Sequence, residues 1–586
     1  MRISRVLRGS SETEFRTSIV SVEPRQTMSN DVKQHQTLFD RLGIFALAAI
    51  LFVPYLGGVH LFDWDEINFA ECAREMVETD NYLRVQINHQ PFWEKPPLFF
   101  WMQAAAMQLF GVGEYAARLP NALCGIVTLQ LLYGWGFTLR GRRFGWWWAG
   151  AYAGSILPHF YFKSGIIDPW FNLFIFSGLW LLWRAALRRD ERFDGTRKAN
   201  VAGLLLAAGA LTGLGILTKG PVALLLTFLV LVGVWAYHCF RWFLNLKHGL
   251  IYLSTVVLVP GCWFGLEWAQ NGPWFTQTFV EYQIRLLTTE DAGHGGFPGY
   301  HLVILVLGCF PVSWWLLGVA RSIWAARRRE PVYDFAVWMG ILALVVLVLF
   351  SLVQSKIVHY SSLAYFPITF LGALAMHDFS ERLRETRWVR VALLVSGGLL
   401  ALLPIVLPFL GQHPELIEPL FAKDEFARGN LEADIRWTGW ESLVGFGFFG
   451  AVLYGFAKWR TQTRRAAVVL LVGTGLLVQG IFYGFIQNIE GYSQRAALEF
   501  YESLEDKDVY VQPVGFKSYA HLFYTKRTPD YPERAKDQDW LLTGELDRPA
   551  YFVVRRQRDA DRLLKYSGME KVGTKNGFHF LKRTER

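Results

Sequence analysis

The chain has 586 residues, of which 52% are hydrophobic, with 24 Trp, 46 Phe and a formal net charge of +9. Apolar stretches of roughly 20 residues, the length that crosses a bilayer core, recur along it, and segments 199–218 and 335–355 contain no charge at all. This composition excludes a soluble multidomain protein. The basic residues fall in alternate loops instead of along one stripe, which excludes a nucleic-acid footprint. The five cysteines (Cys72, Cys124, Cys239, Cys262, Cys309) have no metal spacing and no disulfide pattern.

In chain order, residues 1–38 are polar and rich in Ser, Thr, Arg and Gln, and are expected to be a disordered cytoplasmic N-terminus. No short apolar core with a cleavage site precedes residue 40, so the first span itself is expected to target the chain. Thirteen spans are predicted, at 41–60, 117–139, 144–162, 166–183, 199–218, 220–240, 249–268, 300–320, 333–353, 361–377, 391–410, 437–457 and 466–487. Pro97–Phe110 is a further apolar stretch. It is short and follows Pro-Pro, so it is expected to be an interfacial or re-entrant helix. The loops at 140–143, 184–198, 241–247, 321–330, 378–390 and 458–465 hold 23 Lys and Arg against 7 Asp and Glu. The positive-inside rule places them in the cytoplasm. The 61–118 loop, the 269–299 loop, the 411–436 loop and the C-terminal region are then extracytoplasmic, in the periplasm if the cell is Gram-negative.

Residues 488–586 change character. Segments 509–514, 550–554 and 578–581 are predicted strands, and 494–504 and 558–566 predicted helices. The predicted architecture is a polytopic α-helical membrane protein: transmembrane domain 39–487 with its outer loop 61–118, then a small extracytoplasmic α/β domain. That domain carries no catalytic motif and reads as an acceptor-positioning or stability module.

The residues able to carry chemistry fall on one predicted membrane face. Asp63-Trp64-Asp65-Glu66 follows the first span, and Phe69, Ala73 and Met76 recur behind it at helical spacing, so the acidic group opens an amphipathic helix expected to lie on the membrane surface. A carboxylate there can be a proton acceptor or merely a helix cap. In Glu94-Lys95-Pro96-Pro97 two prolines fix the backbone after a charged pair; Lys95 can point at an anion or snorkel harmlessly. Asp168 sits between Ile167 and Pro169 in the tight turn joining two spans, and needs a cavity or a partner. Lys163 is a nearby cation that could pair with it. Lys219, in Leu-Thr-Lys-Gly-Pro, repeats the pattern one helical hairpin later. His294 lies between glycines beside Glu290 and Asp291, where either a metal ligand or a flexible loop fits. Ser355-Lys356-Ile357-Val358-His359-Tyr360 follows another span and fits interface anchoring or a phosphate site.

This pattern resembles the GT-C class of membrane glycosyltransferases, which take sugar from a polyprenyl-phosphate donor. It is similar to the bacterial lipid A aminoarabinose transferases and to the protein O-mannosyltransferase-like families. The resemblance is carried by Trp64-Asp65-Glu66, Ala70–Met76, Phe92–Leu98, Ala116–Pro120 and Leu217–Gly220. It implies a GT-C-like fold with about thirteen transmembrane helices, in the bacterial inner membrane. It implies inverting transfer from a polyprenyl-phosphate-linked sugar to lipid A, another envelope glycan or, in a rival of the same architecture, a protein. Asp65 takes the catalytic aspartate position, with Glu66 beside it. Lys95, Lys219 and Lys356 are expected at the donor phosphate. Asp168, Tyr360, Asn68 and Arg74 are expected to line the cavity, and Glu94 with His294 to meet a divalent metal ion if one is used. Asn68 stands where the family has an arginine, so that part of the phosphate clamp must come from elsewhere. A lipid-linked-sugar transporter or flippase is the alternative from another class. It would need charges near mid-bilayer, whereas here they gather at one face.

Overall fold

The computed structural model describes residues 30–189, 200–241, 244–288, 296–325 and 330–584. The segment expected to be disordered therefore lies outside the described residues up to position 29, as does His294. Seven helices among the described residues are long and apolar enough to cross a membrane: Glu114–Arg140, Asp168–Leu187, Val201–Lys219, Leu246–Asn271, Pro331–Leu352, Arg387–Gln412 and Thr463–Gly484. Each coincides with a predicted span, and the chain is a multi-pass membrane protein.

The other six predicted spans take different forms. The 41–60 segment is split between helix α1 (Asn30–Phe52) and an irregular stretch after it. The 144–162 segment is a 12-residue helix, Arg142–Ala153, stopped at Gly154-Ser155 and followed by the short Pro158-containing helix Ile156–Phe160. The 300–320 segment is a pair of helices, Tyr300–Gly308 and Val312–Ala325, bent by 106°. Pro311 lies in the break, where it has no N–H to continue the helix and disfavours helical backbone at Phe310. Val222–Tyr237, Tyr365–Asp378 and Ser442–Lys458 are regular but shorter than a span. The segment after Pro-Pro forms α3 (Leu98–Phe110), 13 residues long. At a 1.5 Å rise it extends only about 20 Å, against a hydrocarbon core of about 30 Å.

Small residues bring the helices together, since lipid offers no hydrophobic drive between them. A Cβ on Gly136 of α4 (Glu114–Arg140) would stand 2.8 Å from Cα of Gly145 on α5 (Arg142–Ala153), so both backbones need that glycine. The outside of the bundle is apolar: Leu344, Leu399, Leu403 and Leu476 are all exposed.

Between α1 and α3 lie helix α2 (Asp65–Thr79) and a two-stranded hairpin, β1 (Gln86–Ile87) and β2 (Gln90–Pro91). Asp65 and Glu66 occupy the first turn of α2, where the helix dipole favours negative charge. The helix is not the surface-lying amphipath expected from its pattern. Every residue from Glu66 to Met76 is buried, because α3 covers one side and the Ala520–Tyr524 helix of the C-terminal region covers another. Its charges are answered internally. Arg74 donates to both oxygens of Glu71 at 2.7 Å, to Glu78 at 2.6 Å and to the carbonyl of Arg527 at 2.8 Å.

The C-terminal region carries a four-stranded sheet in the order β3 (Tyr510–Val514), β4 (Ala550–Val554), β6 (Phe578–Arg583), β5 (Met569–Lys575). β3 and β4 are parallel and the other pairings antiparallel. The crossover from β3 to β4 contains the Ala520–Tyr524 helix that reaches α2. Tyr524 fastens this contact: its hydroxyl accepts from the Leu61 amide at 2.8 Å and donates to Glu114 at 3.1 Å. Gln494 holds the same loop, donating to the Leu61 carbonyl at 2.7 Å and accepting from the Asp63 amide at 3.3 Å.

Candidate active site

Five elements deliver charged side chains to one end of the bundle. Asp65 starts α2, Asp168 starts the Asp168–Arg189 helix, and Lys219 ends the Val201–Lys219 helix. His359 and Tyr360 lie in the 3₁₀ segment Val358–Ala364. Lys95 precedes α3. Helix ends are where a membrane protein can place charge, because the next residues can turn away from the hydrocarbon.

Asp168 and Lys219 form an ion pair of 2.6 Å, with side chains 4% and 17% exposed. Lys163, the other cation near Asp168 in sequence, instead donates to the carbonyl of Pro54 at 2.7 Å. The Lys219 ammonium also lies 5.2 Å above the Tyr360 ring and 5.7 Å above Phe171, aromatic faces that stabilise a partly desolvated cation. His359 joins this pair to Asp65: its Nε2 is 3.5 Å from the Asp65 carboxylate and 3.9 Å from the Asp168 carboxylate. Burial lowers the His359 pKa below the usual imidazole range, against the pull of Asp168, so the ring is neutral near pH 7. Asp65 is the more open of the two carboxylates, at 34%.

Across the opening, Lys95 sits 5.1 Å above the Tyr282 ring and Arg285 5.3 Å from the same ring. Tyr282 donates to Glu94 over 3.4 Å. Two cations thus gather at one aromatic ring on the Trp274–Thr288 helix, a pairing that suits an anion such as a phosphate.

The structure brings together Asp65, Lys95, Glu94, Asp168, Lys219 and Tyr360, and directs four other candidates elsewhere. Glu66 is buried and pairs with Arg118 at 2.8 Å while also accepting from the Phe62 and Gly165 amides. Burial would raise its pKa, but Arg118 and these bonds hold it below the usual carboxylate range, which leaves it no proton-transfer capacity. Asn68 is buried against its own helix start, with its amide oriented to donate to the Trp64 carbonyl at 3.1 Å and accept from the Trp64 indole at 3.0 Å. Arg74 is spent on Glu71, Glu78 and Arg527. Lys356 donates to the carbonyls of Phe350, Ser351 and Val353, capping the Pro331–Leu352 helix. For a metal, Glu94 needs company. Among the described residues no group of three or more His, Cys, Asp or Glu side chains is arranged to hold one.

Two site residues escaped the sequence argument. His359 reads as an interface residue beside Lys356 until the 3₁₀ turn carries it between two carboxylates. Arg285 reads as loop charge until Tyr282 places it opposite Lys95. The only signal for either was the clustering of Lys, His and Tyr at one span end and of Tyr and Arg in one loop.

The family model for dolichyl-phosphate-mannose-protein mannosyltransferases matches residues 38–271, the stretch that supplies Asp65, Lys95, Asp168 and Lys219. The undecaprenyl phosphate-α-4-amino-4-deoxy-L-arabinose arabinosyl transferase of Pseudomonas aeruginosa strain UCBPP-PA14 is 27% identical over 424 residues, 70% of each chain. The transferase of the same description from Pectobacterium carotovorum is 26% identical over 388 residues, 64% of this chain and 66% of that one. The crystal structure of apo ArnT from Cupriavidus metallidurans has the same fold, with a TM-score of 0.69 at 20% identity over 94% of this chain and 98% of that one. The chain is a membrane glycosyltransferase of the GT-C architecture. The undecaprenyl-phosphate-bound form of the Cupriavidus protein matches this transferase with a TM-score of 0.66 over 93% of this chain. The likeness therefore runs through both the helical bundle and the C-terminal sheet.

Proposed function

We propose that the protein transfers a sugar, with inversion, from a polyprenyl-phosphate-linked donor to an envelope acceptor such as lipid A, at the periplasmic face of the bacterial inner membrane. The relatives named for undecaprenyl-phosphate-linked aminoarabinose support the donor class. The acidic outer loops facing the site, opposite the basic set, support the side of the membrane.

The observation that carries the reading is the opposition of Asp65 to a set of cations. Asp65 accepts the proton of the acceptor hydroxyl or phosphate as its oxygen attacks the anomeric carbon. The bond from that carbon to the phosphate oxygen breaks on the far side, and the polyprenyl phosphate leaves with the electron pair. Lys95, Arg285 and Lys219 lie where they can neutralise it, Arg285 supplying the cation that Asn68 does not. Stabilising charge on the departing group is often the largest catalytic contribution. His359 is a positioning residue: its ring stands between Asp65 and Asp168, 3.5 Å from one carboxylate and 3.9 Å from the other. No step is routed through a metal.

Asp65→Asn is expected to insert and fold like the wild type while transfer falls by about 10²–10⁴-fold, the usual share of general-base catalysis. Mass spectrometry of lipid A and membrane glycoproteins from deletion, wild-type and Asp65→Asn strains reads the outcome. A sugar-sized mass missing in the deletion but restored by Asp65→Asn removes Asp65 from the mechanism. The mannosyltransferase family match favours a second reading, a protein acceptor, and the same spectra separate it, because the missing mass would then be on a glycoprotein.

A further inference from the structure

Two cavities of similar size adjoin the C-terminal region, and their linings are opposite in charge. One, of about 250 Å³, is lined by His60, Glu114, Glu490, Arg495 and Glu502 with the Gly57–Val59 backbone. Three carboxylates there repel an anion. The other, of about 270 Å³, lies between the β1–β2 turn and the β3 end of the sheet. Its chemistry-bearing lining is Asn88, Gln512, Lys517, Ser518, His521 and Lys536, and no carboxylate lines it.

Three observations point this second cavity toward a phosphorylated carbohydrate. His521 is 5% exposed and its Nδ1 has no hydrogen-bond partner, a cost the fold bears unless a ligand answers it. Lys517 and Lys536 supply charge, Lys536 from within an ion pair of 3.0 Å with Glu533 that a phosphate would have to share, and the amides and hydroxyl supply the mixed donors and acceptors that a sugar ring needs. The cavity also lies beside the chain segment that carries the proposed base. The Lys517 ammonium lies 4.6 Å above the ring of Trp64, the residue before Asp65, and Tyr519, on the cavity wall, meets the same ring at 5.5 Å. Glu94 is near enough to Tyr519 to add to the effect of burial in raising its phenol pKa.

We infer that the cavity bounded by Lys517, Lys536, His521 and Asn88 is the acceptor subsite, which holds an anionic, phosphate-bearing sugar head group so that its reacting oxygen faces Asp65. The inference rests on the glycosyl-transfer reading and adds to it a location and a charge for the acceptor. It gives the C-terminal sheet a direct part in substrate binding.

The test uses the full chain in nanodiscs, with polyprenyl-phosphate-linked sugar as donor and two acceptors, lipid A and the same lipid stripped of its phosphates. Lys517→Gln and Lys536→Gln are made singly and together. The double variant is expected to raise the KM for phosphorylated acceptor by about tenfold or more, in line with loss of charge-assisted hydrogen bonds. Its kcat and donor KM are expected to stay within about twofold of wild type, and Arg at both positions to recover the KM. Broadening of the inorganic phosphate line in ³¹P NMR reads binding without turnover; wild type is expected to broaden it and the double variant not to. An unchanged acceptor KM, an equal loss for the dephosphorylated lipid, or phosphate binding that survives in the double variant overturns the inference. Wild-type protein that transfers to neither lipid nor to membrane glycoproteins defeats the function proposed above, whatever the phosphate line shows; transfer to glycoproteins alone overturns the acceptor assignment. If inorganic phosphate broadens through these lysines while wild type does not discriminate the two lipids, the site binds free phosphate and the acceptor assignment fails.

Discussion

Asp168 and Lys219 are 51 positions apart, and neither makes sense without the other. Removing the lysine leaves a carboxylate that is 4% exposed without its charge partner, which costs about 3–5 kcal/mol when a buried pair is broken. Lys219→Met is therefore expected to lose both thermal stability and transfer. Pairing it with Asp168→Leu is expected to restore most of the melting temperature in detergent but not the activity, because the donor phosphate still lacks a cation. Recovery of activity in the double variant would confine Lys219 to holding Asp168. His521 makes a separate prediction. Burial lowers its pKa from 6.5 to about 3, so the folded chain keeps the ring neutral while the unfolded chain takes up a proton below pH 6.5. Its contribution to stability is full above that value. It is lost at about 1.4 kcal/mol per pH unit as the pH falls from 6.5 toward 3. Melting temperature against pH is expected to slope less over that window in His521→Phe.

Helix α2 shows where an element exceeds what its own pattern says. Its helicity was legible: an acidic first turn followed by Ala, Met and Glu with apolar positions on one face. Its environment was not. Arg74 reads as a cavity residue and nothing in the local pattern shows what covers Glu71 and Glu75, yet each of the three is at most 4% exposed, because α3, the β1–β2 hairpin and residues some 450 positions later close over them. Arg74→Ala is expected to destabilise the protein by about 3–5 kcal/mol, through the uncompensated Glu71 carboxylate, and denaturant or thermal melts would register it. Other elements were hidden for local reasons. β5 has the exposed, charged sequence of an edge strand with a bulge between Lys571 and Gly573, so it shows no apolar alternation. The β1–β2 turn places both Asn88 and His89 at positive φ (57° and 51°), and histidine is not among the residues that usually announce such a turn. The 3₁₀ segment that presents His359 follows a span end whose Lys356 is used on helix carbonyls, so lysine content there pointed to the wrong side chain.

For the whole molecule, hydropathy was enough to read a multi-pass helical architecture, since a bilayer imposes it on any chain that crosses it. It was less able to count spans, because a break at Pro311 or at Gly154-Ser155 leaves the apolar run intact while the helix changes direction. The proposed orientation has a direct check. In a variant without Cys239 and Cys262, the two exposed cysteines, Asp539→Cys is expected to react with a membrane-impermeant maleimide in cells with a permeabilised outer membrane. Arg460→Cys is expected to react only after lysis. The reverse pattern would place the catalytic end in the cytoplasm.

Asp63, two residues before the proposed base, is half-buried beneath groups from the C-terminal region. Gln494 bonds its amide, and burial raises its carboxyl pKa against the opposing effects of Ser518 and Arg555. Gln494 leaves the ribosome 431 residues after the aspartate it covers. In the proposed orientation the helical bundle enters the membrane with the 61–118 loop exported and its acidic helix still uncovered, and that loop reaches its final form only when residues 488–584 have followed it across and closed over it.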